Sequence, residues 1–232
     1  MTKVAILIDG GFLLKRLKTV QPKIDALDAE AVSQAIRRLV ESHLKQIHER
    51  HTAKTHWELL YRCFYYDAAP YLKKAHLPVS GKSIDYAKSD TALFRLSLFD
   101  LLRRAPHFAV RLGETIAERQ WLLSASAQDD LMKRRRDWNS LSDADFVSGI
   151  RQKAVDMRLG VDIASIALKK QAGILVLVTG DSDFVPAAKL ARREGVKVVL
   201  DPLWLDVRPD LFEHIDQVRS GFPKPGQKEG NA

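Results

Sequence analysis

Short apolar runs recur along the chain, and segments of helical periodicity accompany them in its last third. The runs occupy residues 3–8, 174–178 and 196–200. They lack the polar–apolar alternation of a half-exposed strand, which indicates strands buried on both faces, as in a parallel sheet. Residues 161–171 and 183–193 have the spacing of helices and flank the second run. This alternation of strands and helices predicts right-handed parallel crossovers.

The first third of the chain predicts one long helix and a further strand. Residues 28–50 carry apolar side chains mostly at helical spacing, and Asp28 is a suitable N-cap. Residues 57–66 are rich in aromatic and large apolar side chains, which favours a strand that ends at Asp67.

Residues from about 71 to 150 have a less regular pattern. We predict helices at 89–104 and 115–138, a short strand at 107–112, and a short helix capped near 142–145. No clear linker separates this stretch from the rest of the chain, so we interpret it as a largely helical insertion within one domain.

The pattern as a whole predicts an α/β fold with a Rossmann-like, mainly parallel sheet flanked by helices. We expect a single domain over residues 1–222, with the helical elaboration at about 71–150. Residues 223–232 are rich in Gly, Pro and polar side chains and predict a disordered tail.

Composition narrows the class of protein. The chain has 232 residues, one cysteine and a net charge of +8. We expect no disulfide, no signal peptide ahead of the first predicted strand, and a cytoplasmic location. No apolar run approaches the ~18 residues of a membrane span. The basic charge favours anionic partners, nucleic acid first among them, through neutralisation of phosphates.

Acidic side chains follow the predicted strands. Asp9, Asp67 and Asp181 each come at or near the end of one, and Asp183 lies two residues further. Capping of the next turn explains any single one of them. Several on one sheet edge, where ligands of open parallel sheets bind, would repel one another unless a cation neutralised them. Carboxylate oxygens favour Mg²⁺ or Mn²⁺ over zinc.

Two further aspartates lie in the segment that precedes the second apolar run. Asp156 and Asp162 are six residues apart, about 240° beyond a full helical turn, so one ideal helix does not present them on the same face. A break at Gly160 would let both approach one site. The alternative is a surface charge at Asp156 and a favourable helix-terminus charge at Asp162.

Four blocks in the chain occur in the order known from a protein family. They are Val4-Ala5-Ile6-Leu7-Ile8-Asp9-Gly10-Gly11, Tyr65-Tyr66-Asp67-Ala68, Gln152-Lys153-Ala154-Val155-Asp156 with Asp162, and Val178-Thr179-Gly180-Asp181-Ser182-Asp183-Phe184-Val185-Pro186. With these blocks the chain resembles the NYN domain family, a PIN-like ribonuclease fold whose bacterial members include LabA-like proteins. The resemblance implies a Mg²⁺- or Mn²⁺-dependent enzyme that hydrolyses RNA phosphodiester bonds.

The resemblance also implies a set of site residues. The acidic site would comprise Asp9, Asp156, Asp162, Asp181 and Asp183. We expect Asp9, Asp162 and Asp181 to hold the metal, and Asp156 and Asp183 to support it or to orient water.

The substrate contacts and two departures from the family pattern complete this expectation. Lys153 and Ser182 are the expected substrate contacts. Many members of the family have Asn where this chain has Phe12, and Gly where it has Ala154. The loss of the Asn leaves open a non-catalytic RNA-binding or regulatory module that retains the fold.

Other chemistry at the end of a strand fits less well. An aspartyl-phosphate hydrolase needs a second acid two residues after the first, where this chain has Gly11. Neither a Gly-x-Gly-x-x-Gly after the first strand nor a Gly-x-x-x-x-Gly-Lys-Ser/Thr is present. The sequence leaves a homodimer open.

Two other clusters have competing interpretations. His48, His51 and His56 are irregularly spaced and without a partner cysteine, which favours solvent-facing histidines over a metal site. The basic run 133–136, with Trp121 and Trp138 near it, predicts either an RNA-binding face or a solvated helix over buried tryptophans.

Overall fold

The strands are the frame of the molecule. The computed structural model describes residues 2–48 and 54–226, with the backbone alone at 118–120. The strands in this part of the chain are β1 Val4–Asp9, β2 Leu60–Ala68, β3 Lys74–His76, β4 Ser83–Asp85, β5 Phe108–Leu123, β6 Phe146–Lys153, β7 Ile174–Val178, β8 Lys197–Asp201 and β9 Gln217–Val218.

The helices lie between the strands in sequence. They are α1 Gly10–Val20, α2 Ala29–His48, α3 Asp90–Arg104, α4 Ala125–Met132, α5 Val155–Leu168, α6 Val185–Arg193 and α7 Pro209–Phe212. Short 3₁₀ turns at 56–59, 86–88, 138–140, 143–145 and 182–184 complete the regular structure.

Seven strands form one sheet in the order β6-β5-β2-β1-β7-β8-β9, and β3 and β4 form a separate antiparallel pair. Every neighbouring pair in the large sheet is parallel except β5 and β6. The predicted α/β fold with a mainly parallel sheet is therefore confirmed.

The sheet is covered on both faces, which explains why β1 is apolar throughout. Val4, Ile6 and Ile8 pack against α1, α2 and α3 on one face. Ala5 and Leu7 pack against α5 and α6 on the other. All five side chains are fully buried, so the alternation typical of a half-exposed strand has no place here.

Several predicted elements occur close to the expected residues. Helix α2 begins one residue after Asp28, whose Oδ1 accepts N–H groups from Glu30 and Ala31. Its predicted end at Arg50 lies outside the described residues. Helix α3 is capped by Ser89, and the strand expected from Trp57 begins instead at Leu60 because a 3₁₀ turn precedes it.

The helix predicted at 115–138 is wrong over its first half. Strand β5 continues to Leu123 and pairs with β6, which the sequence pattern did not reveal. Only Ala125–Met132 within this segment is an α-helix. Cross-strand pairing supplies hydrogen bonds and packing that outweigh the weak local preference of the segment. The region 71–150 is consequently a mixture of helices and paired strands.

Two helices differ from expectation next to the candidate site. Helix α1 was not predicted because Gly10 and Gly11 lie in its first turn, where local propensity is poor. Helix α5 begins at Val155, six residues before the predicted start, and Gly160 lies within it without a break.

Two remaining expectations concern the end of the chain and the membrane. Residues 223–226 are exposed, and 227–232, the rest of the predicted tail, lie outside the described residues. In the part of the chain that the structure describes, no helix combines the length and apolar character needed to cross a membrane.

Candidate functional site

The carboxyl ends of β1 and β7 meet at the centre of the sheet. Ile8 is the register partner of Val178, so Asp9 and Thr179 follow side by side. Strand β2 lies on the far side of β1, and β8 lies on the far side of β7. The chain therefore leaves these two central strands in opposite directions, which is the kind of crevice where open α/β sheets bind ligands.

Hydrogen bonds connect the two aspartates that follow these strands. Asp9 caps α1, and its Oδ1 accepts the N–H of Phe12 at 3.0 Å. The Thr179 hydroxyl lies 3.4 Å from Oδ2 of Asp9 and accepts the N–H of Asp181 at 3.2 Å. Oδ1 of Asp181 accepts the N–H of Asp183 at 3.0 Å. Capping thus accounts for Oδ1 of Asp9 and Oδ1 of Asp181, and the Thr179 hydroxyl connects Oδ2 of Asp9 with the loop that carries Asp181.

A pocket of about 330 Å³ lies at this edge of the sheet, and we call it the acidic pocket. Its lining includes Asp9, Phe12, Lys15, Gln152, Asp156 and Asp181. The structure thus brings together three of the five aspartates expected in the site, from the end of β1, the first turn of α5 and the loop after β7.

The carboxylates of the acidic pocket influence one another. Burial raises the pKa of Asp9 most, and the charges of Asp156 and Asp181 raise it further, against hydrogen bonds from Phe12 and Thr179 that lower it. Burial also raises the pKa of Asp156, and Asp181 and Asp183 add to that increase. The negative charges therefore destabilise one another, which is the condition a bound cation relieves.

The donor set fits a hard divalent cation bound partly through water. Within residues 2–48 and 54–226, no three His, Cys, Asp or Glu side chains are close enough to hold an ion together as they stand. Mg²⁺ commonly binds through one or two carboxylates and keeps several waters. Oxygen donors alone, from three mutually repelling carboxylates, match this mode of binding.

Asp162 lies outside the acidic pocket. Its Oδ2 accepts the hydroxyl of Tyr66 at 2.8 Å and lies 3.2 Å from Nε of Arg111. Because α5 is continuous, Asp156 and Asp162 point to different faces, as the helical angle between them requires. Asp162 therefore connects α5 with β2 and β5.

The expected substrate contacts also differ from the residues that line the pocket. Lys153 is exposed at the end of β6, and its neighbour Gln152 lines the acidic pocket instead. Ser182 is half-buried in the turn after β7, and Asp183 acts on Asp156 through its charge without lining the pocket.

Lys15 is a lining residue that the sequence pattern missed. It extends from α1, a helix that was not predicted. Counting in helical steps from Asp9 as an N-cap would have put Phe12 and Lys15 near one face of that helix.

Asp67, the other strand-ending aspartate, has a different partner. It is buried, and its Oδ1 lies 2.7 Å from Nη1 of Arg95. Burial raises the pKa of Asp67, and the Arg95 charge lowers it in part. Asp67 therefore holds Arg95 through a buried ion pair and does not line the acidic pocket.

The two positions that depart from the family pattern, Phe12 and Ala154, both have unusual local surroundings. The ring of Phe12 lies against Gly180, where an added Cβ atom would be 2.7 Å from Cε2 of the ring. Ala154 has a φ of 65° and a ψ of 13°, the left-handed conformation that favours glycine.

The basic run is largely paired within its own segment. Lys133 lies 2.8 Å from Asp129, and Arg136 lies 2.7 Å from Asp145. Arg135 is 3.4 Å from Asp130. This arrangement favours a solvated face over an RNA-binding one.

The aromatic and histidine clusters also have local partners. Trp121 donates its Nε1–H to the carbonyl of His76 at 2.7 Å, whereas Trp138 is exposed. The rings of His48 and His56 are 6.4 Å apart, and His51 lies outside the described residues.

Comparison with known proteins identifies a family. The family model of the NYN domain matches residues 108–202, which run from β5 to just beyond β8 and include Asp156 and Asp181. No curated protein matches the chain. The chain matches the crystal structure of a protein of unknown function from Vibrio parahaemolyticus RIMD 2210633 at 16% sequence identity, with a TM-score of 0.46 and 95% of each chain covered. The match at residues 108–202 confirms the suspected likeness to the NYN family, and the mainly parallel sheet flanked by helices is consistent with a PIN-like fold.

Proposed function

We propose that this protein is a metal-dependent ribonuclease that hydrolyses RNA phosphodiester bonds at the acidic pocket. One observation carries the proposal: Asp9, Asp156 and Asp181 come from three separate segments and line one pocket at the crevice between β1 and β7. The NYN domain supports it, because the domain has a PIN-like nuclease fold.

The expected cofactor is Mg²⁺ or Mn²⁺. Asp9 and Asp181 would hold the ion directly or through water, with Asp156 as the third carboxylate of the pocket. This assignment exchanges Asp162 for Asp156, because Asp162 is bound to Tyr66 and Arg111. A divalent ion in such a site lowers the pKa of a bound water and neutralises charge on phosphoryl oxygens.

The positive charge of the protein favours an anionic polymer as its substrate. The net charge of +8 attracts RNA over a long range, and the Lys15 ammonium at the pocket can neutralise a phosphate oxygen. The carboxylates repel the same phosphate until a cation balances them. We therefore expect cleavage of a phosphodiester in this pocket to depend on a divalent cation, whereas overall RNA affinity persists without one.

The direct test compares cleavage of single-stranded RNA and DNA of the same sequence, with Mn²⁺, Mg²⁺ or EDTA. The Asp9→Asn and Asp181→Asn variants keep an oxygen for capping and remove the charge, so they should fold and lose at least about a hundredfold in metal-dependent rate. Asp137 is exposed and directly precedes the 3₁₀ turn at 138–140, and its side chain makes no capping hydrogen bond there, so Asp137→Asn should cleave like the parent protein.

One result of the cleavage assay would contradict the proposed site. Equal metal-dependent cleavage by the parent protein and by both folded site variants would overturn the assignment. Thermal unfolding gives an independent reading: Mn²⁺ should raise the midpoint of the parent protein and not that of Asp181→Asn.

A second candidate function is a non-catalytic RNA-binding or regulatory module. Two observations favour it: Phe12 occupies the position of the family's Asn, and the described part of the chain contains no preformed three-ligand group. This candidate predicts RNA affinity that depends on salt, requires no divalent cation, and is accompanied by no cleavage.

A further inference from the structure

A second pocket lies beside the acidic pocket and is built largely by the insertion at 71–150. Its volume is about 380 Å³, and Gln152 lines both pockets. We call it the insertion pocket; its lining includes Tyr71, Tyr86, Arg95, Thr115, Arg151 and Gln152. The volume is in the range of about 300–1,000 Å³ that is usual for small-ligand sites.

Two tyrosines form the aromatic part of the insertion pocket. The rings of Tyr71 and Tyr86 pack edge to face, with centroids 5.3 Å apart and planes at 80°. Tyr71 follows β2 and Tyr86 follows β4, so the hairpin of β3 and β4 brings them together. Both residues are half-buried and therefore have ring surface left for a ligand.

Two arginines supply donors for an anion. Arg95 is fixed from behind by Asp67, which is 1% exposed, and by the carbonyl of Ala68, both through Nη1. Throughout residues 2–48 and 54–226, these are its only hydrogen bonds, so Nε and Nη2 remain available. Arg151 is exposed on β6.

The charge of the insertion pocket is opposite to that of its neighbour. Within the described part of the chain, no acidic side chain lines it, whereas three carboxylates line the acidic pocket. Stacking rings with guanidinium groups beside them are the elements that proteins use to bind unpaired bases and the adjacent phosphates.

We propose that the insertion pocket binds one unpaired base of single-stranded RNA, next to the phosphodiester in the acidic pocket. The base stacks on the Tyr71–Tyr86 pair, and Arg151 and Arg95 contact the adjoining phosphate. A base held in this way must leave a duplex, so the pocket selects single strands. The identity of the neighbouring site rests on the proposed ribonuclease function.

Binding of a labelled single-stranded RNA, followed by fluorescence anisotropy in EDTA, tests the pocket without cleavage. Tyr71→Ala and Tyr86→Ala should each weaken binding about tenfold, since one stacked base contributes ~1–3 kcal/mol. Tyr71→Phe and Tyr86→Phe keep the ring and should restore most of the affinity. Arg151→Ala should reduce the salt dependence of binding by about one charge.

A matched control separates the arginine contact from net charge. Arg103 is exposed in the last turn of α3, and Arg95 lies two turns earlier in the same helix. Arg103→Ala removes the same charge away from the insertion pocket and should leave the salt dependence unchanged. If Arg151→Ala and Arg103→Ala changed the salt dependence of RNA binding equally, Arg151 would have no specific contact with a phosphate.

An abasic scan tests the pocket on the unmodified protein. Oligonucleotides that lack one base at successive positions should bind equally except at one position, where affinity falls about tenfold. The Tyr71→Ala variant should bind this abasic RNA as well as it binds the intact RNA, because the tyrosine ring that stacks on that base is already absent. Equal binding of every abasic RNA by the parent protein would overturn the proposal, even if the tyrosine variants failed to fold.

The outcomes for the two pockets are distinguishable. If the parent protein does not cleave RNA but its affinity falls at one position of the abasic scan, the base pocket is supported and the ribonuclease assignment is wrong. If the parent protein cleaves RNA, every abasic RNA binds equally and the tyrosine variants bind RNA normally, the ribonuclease assignment is supported and the base pocket is wrong.

Discussion

Phe12 lies directly against Gly180. A Cβ atom built on Gly180 would be 2.7 Å from Cε2 of the Phe12 ring and 3.1 Å from Cδ2 of Leu205. The contact joins the first turn of α1 to the loop after β7, the two segments that carry Asp9 and Asp181. The aromatic residue at position 12 and the glycine at position 180 therefore depend on each other.

Gly180→Ala should lower the free energy of unfolding by ~1–3 kcal/mol, because the added methyl group has no room beside Phe12. Combined with Phe12→Ala, it should cost less than the sum of the two single substitutions. Urea unfolding of the three variants measures the coupling. A strictly additive result would show that the ring and the glycine do not constrain each other.

Asp156→Asn should stabilise the protein in EDTA at neutral pH. Burial and the charges of Asp181 and Asp183 raise the pKa of Asp156, so its ionised form destabilises the folded state. Because Asp156 is exposed to solvent, the gain is at most about 1 kcal/mol. Thermal or urea unfolding beside the Asp137→Asn control measures it, and the same variant should lose metal-dependent cleavage.

The pH dependence of that gain has a definite sign. A pKa raised above the value of 3.8 means that the folded state binds the proton more readily than the unfolded state. The advantage of Asp156→Asn is full above the folded pKa and shrinks as the pH falls through it. Saturating Mn²⁺ should also remove the advantage. A gain that persisted at acidic pH would exclude charge repulsion as its cause.

Ala154→Gly should raise stability by up to ~1 kcal/mol. Ala154 has a φ of 65°, and a left-handed conformation costs a non-glycine residue about 1–2 kcal/mol. The greater freedom of glycine in the unfolded chain offsets ~0.4–1 kcal/mol of that gain. Unfolding in urea gives the net value, and a clear loss of stability would contradict strain at this position.

Lys15→Ala should weaken cleavage chiefly through KM, by roughly tenfold, because the ammonium at the acidic pocket neutralises a substrate phosphate. Lys18 is exposed on the same helix and does not line the pocket. Lys18→Ala is thus a control for the loss of one positive charge. If both lysine variants had the same KM, Lys15 would have no specific contact with the substrate.

The limits of sequence-based prediction are clearest at Asp156 and Asp162. Helical geometry alone separates the two residues, but it does not say which of them faces the other acids. That choice depends on how α5 lies on the sheet: Tyr66 and Arg111, which come from β2 and β5, bind Asp162 and leave Asp156 at the pocket. Lys15 and Gln152 reach the pocket from elements that local patterns did not predict.

Local patterns were enough to predict the central strands, the α/β class and the likeness to NYN domains, because strands buried on both faces must be apolar and the aspartates that follow them are local in sequence. The course of residues 108–153 instead depends on long-range contacts, because the pairing of β5 with β6 overrides local preference there. Long-range packing also selects the acids that share a pocket and brings Tyr71 and Tyr86 together beside it. Such contacts arise between segments far apart in the chain, and they stabilise the fold only once the sheet has assembled, so local sequence patterns do not predict them.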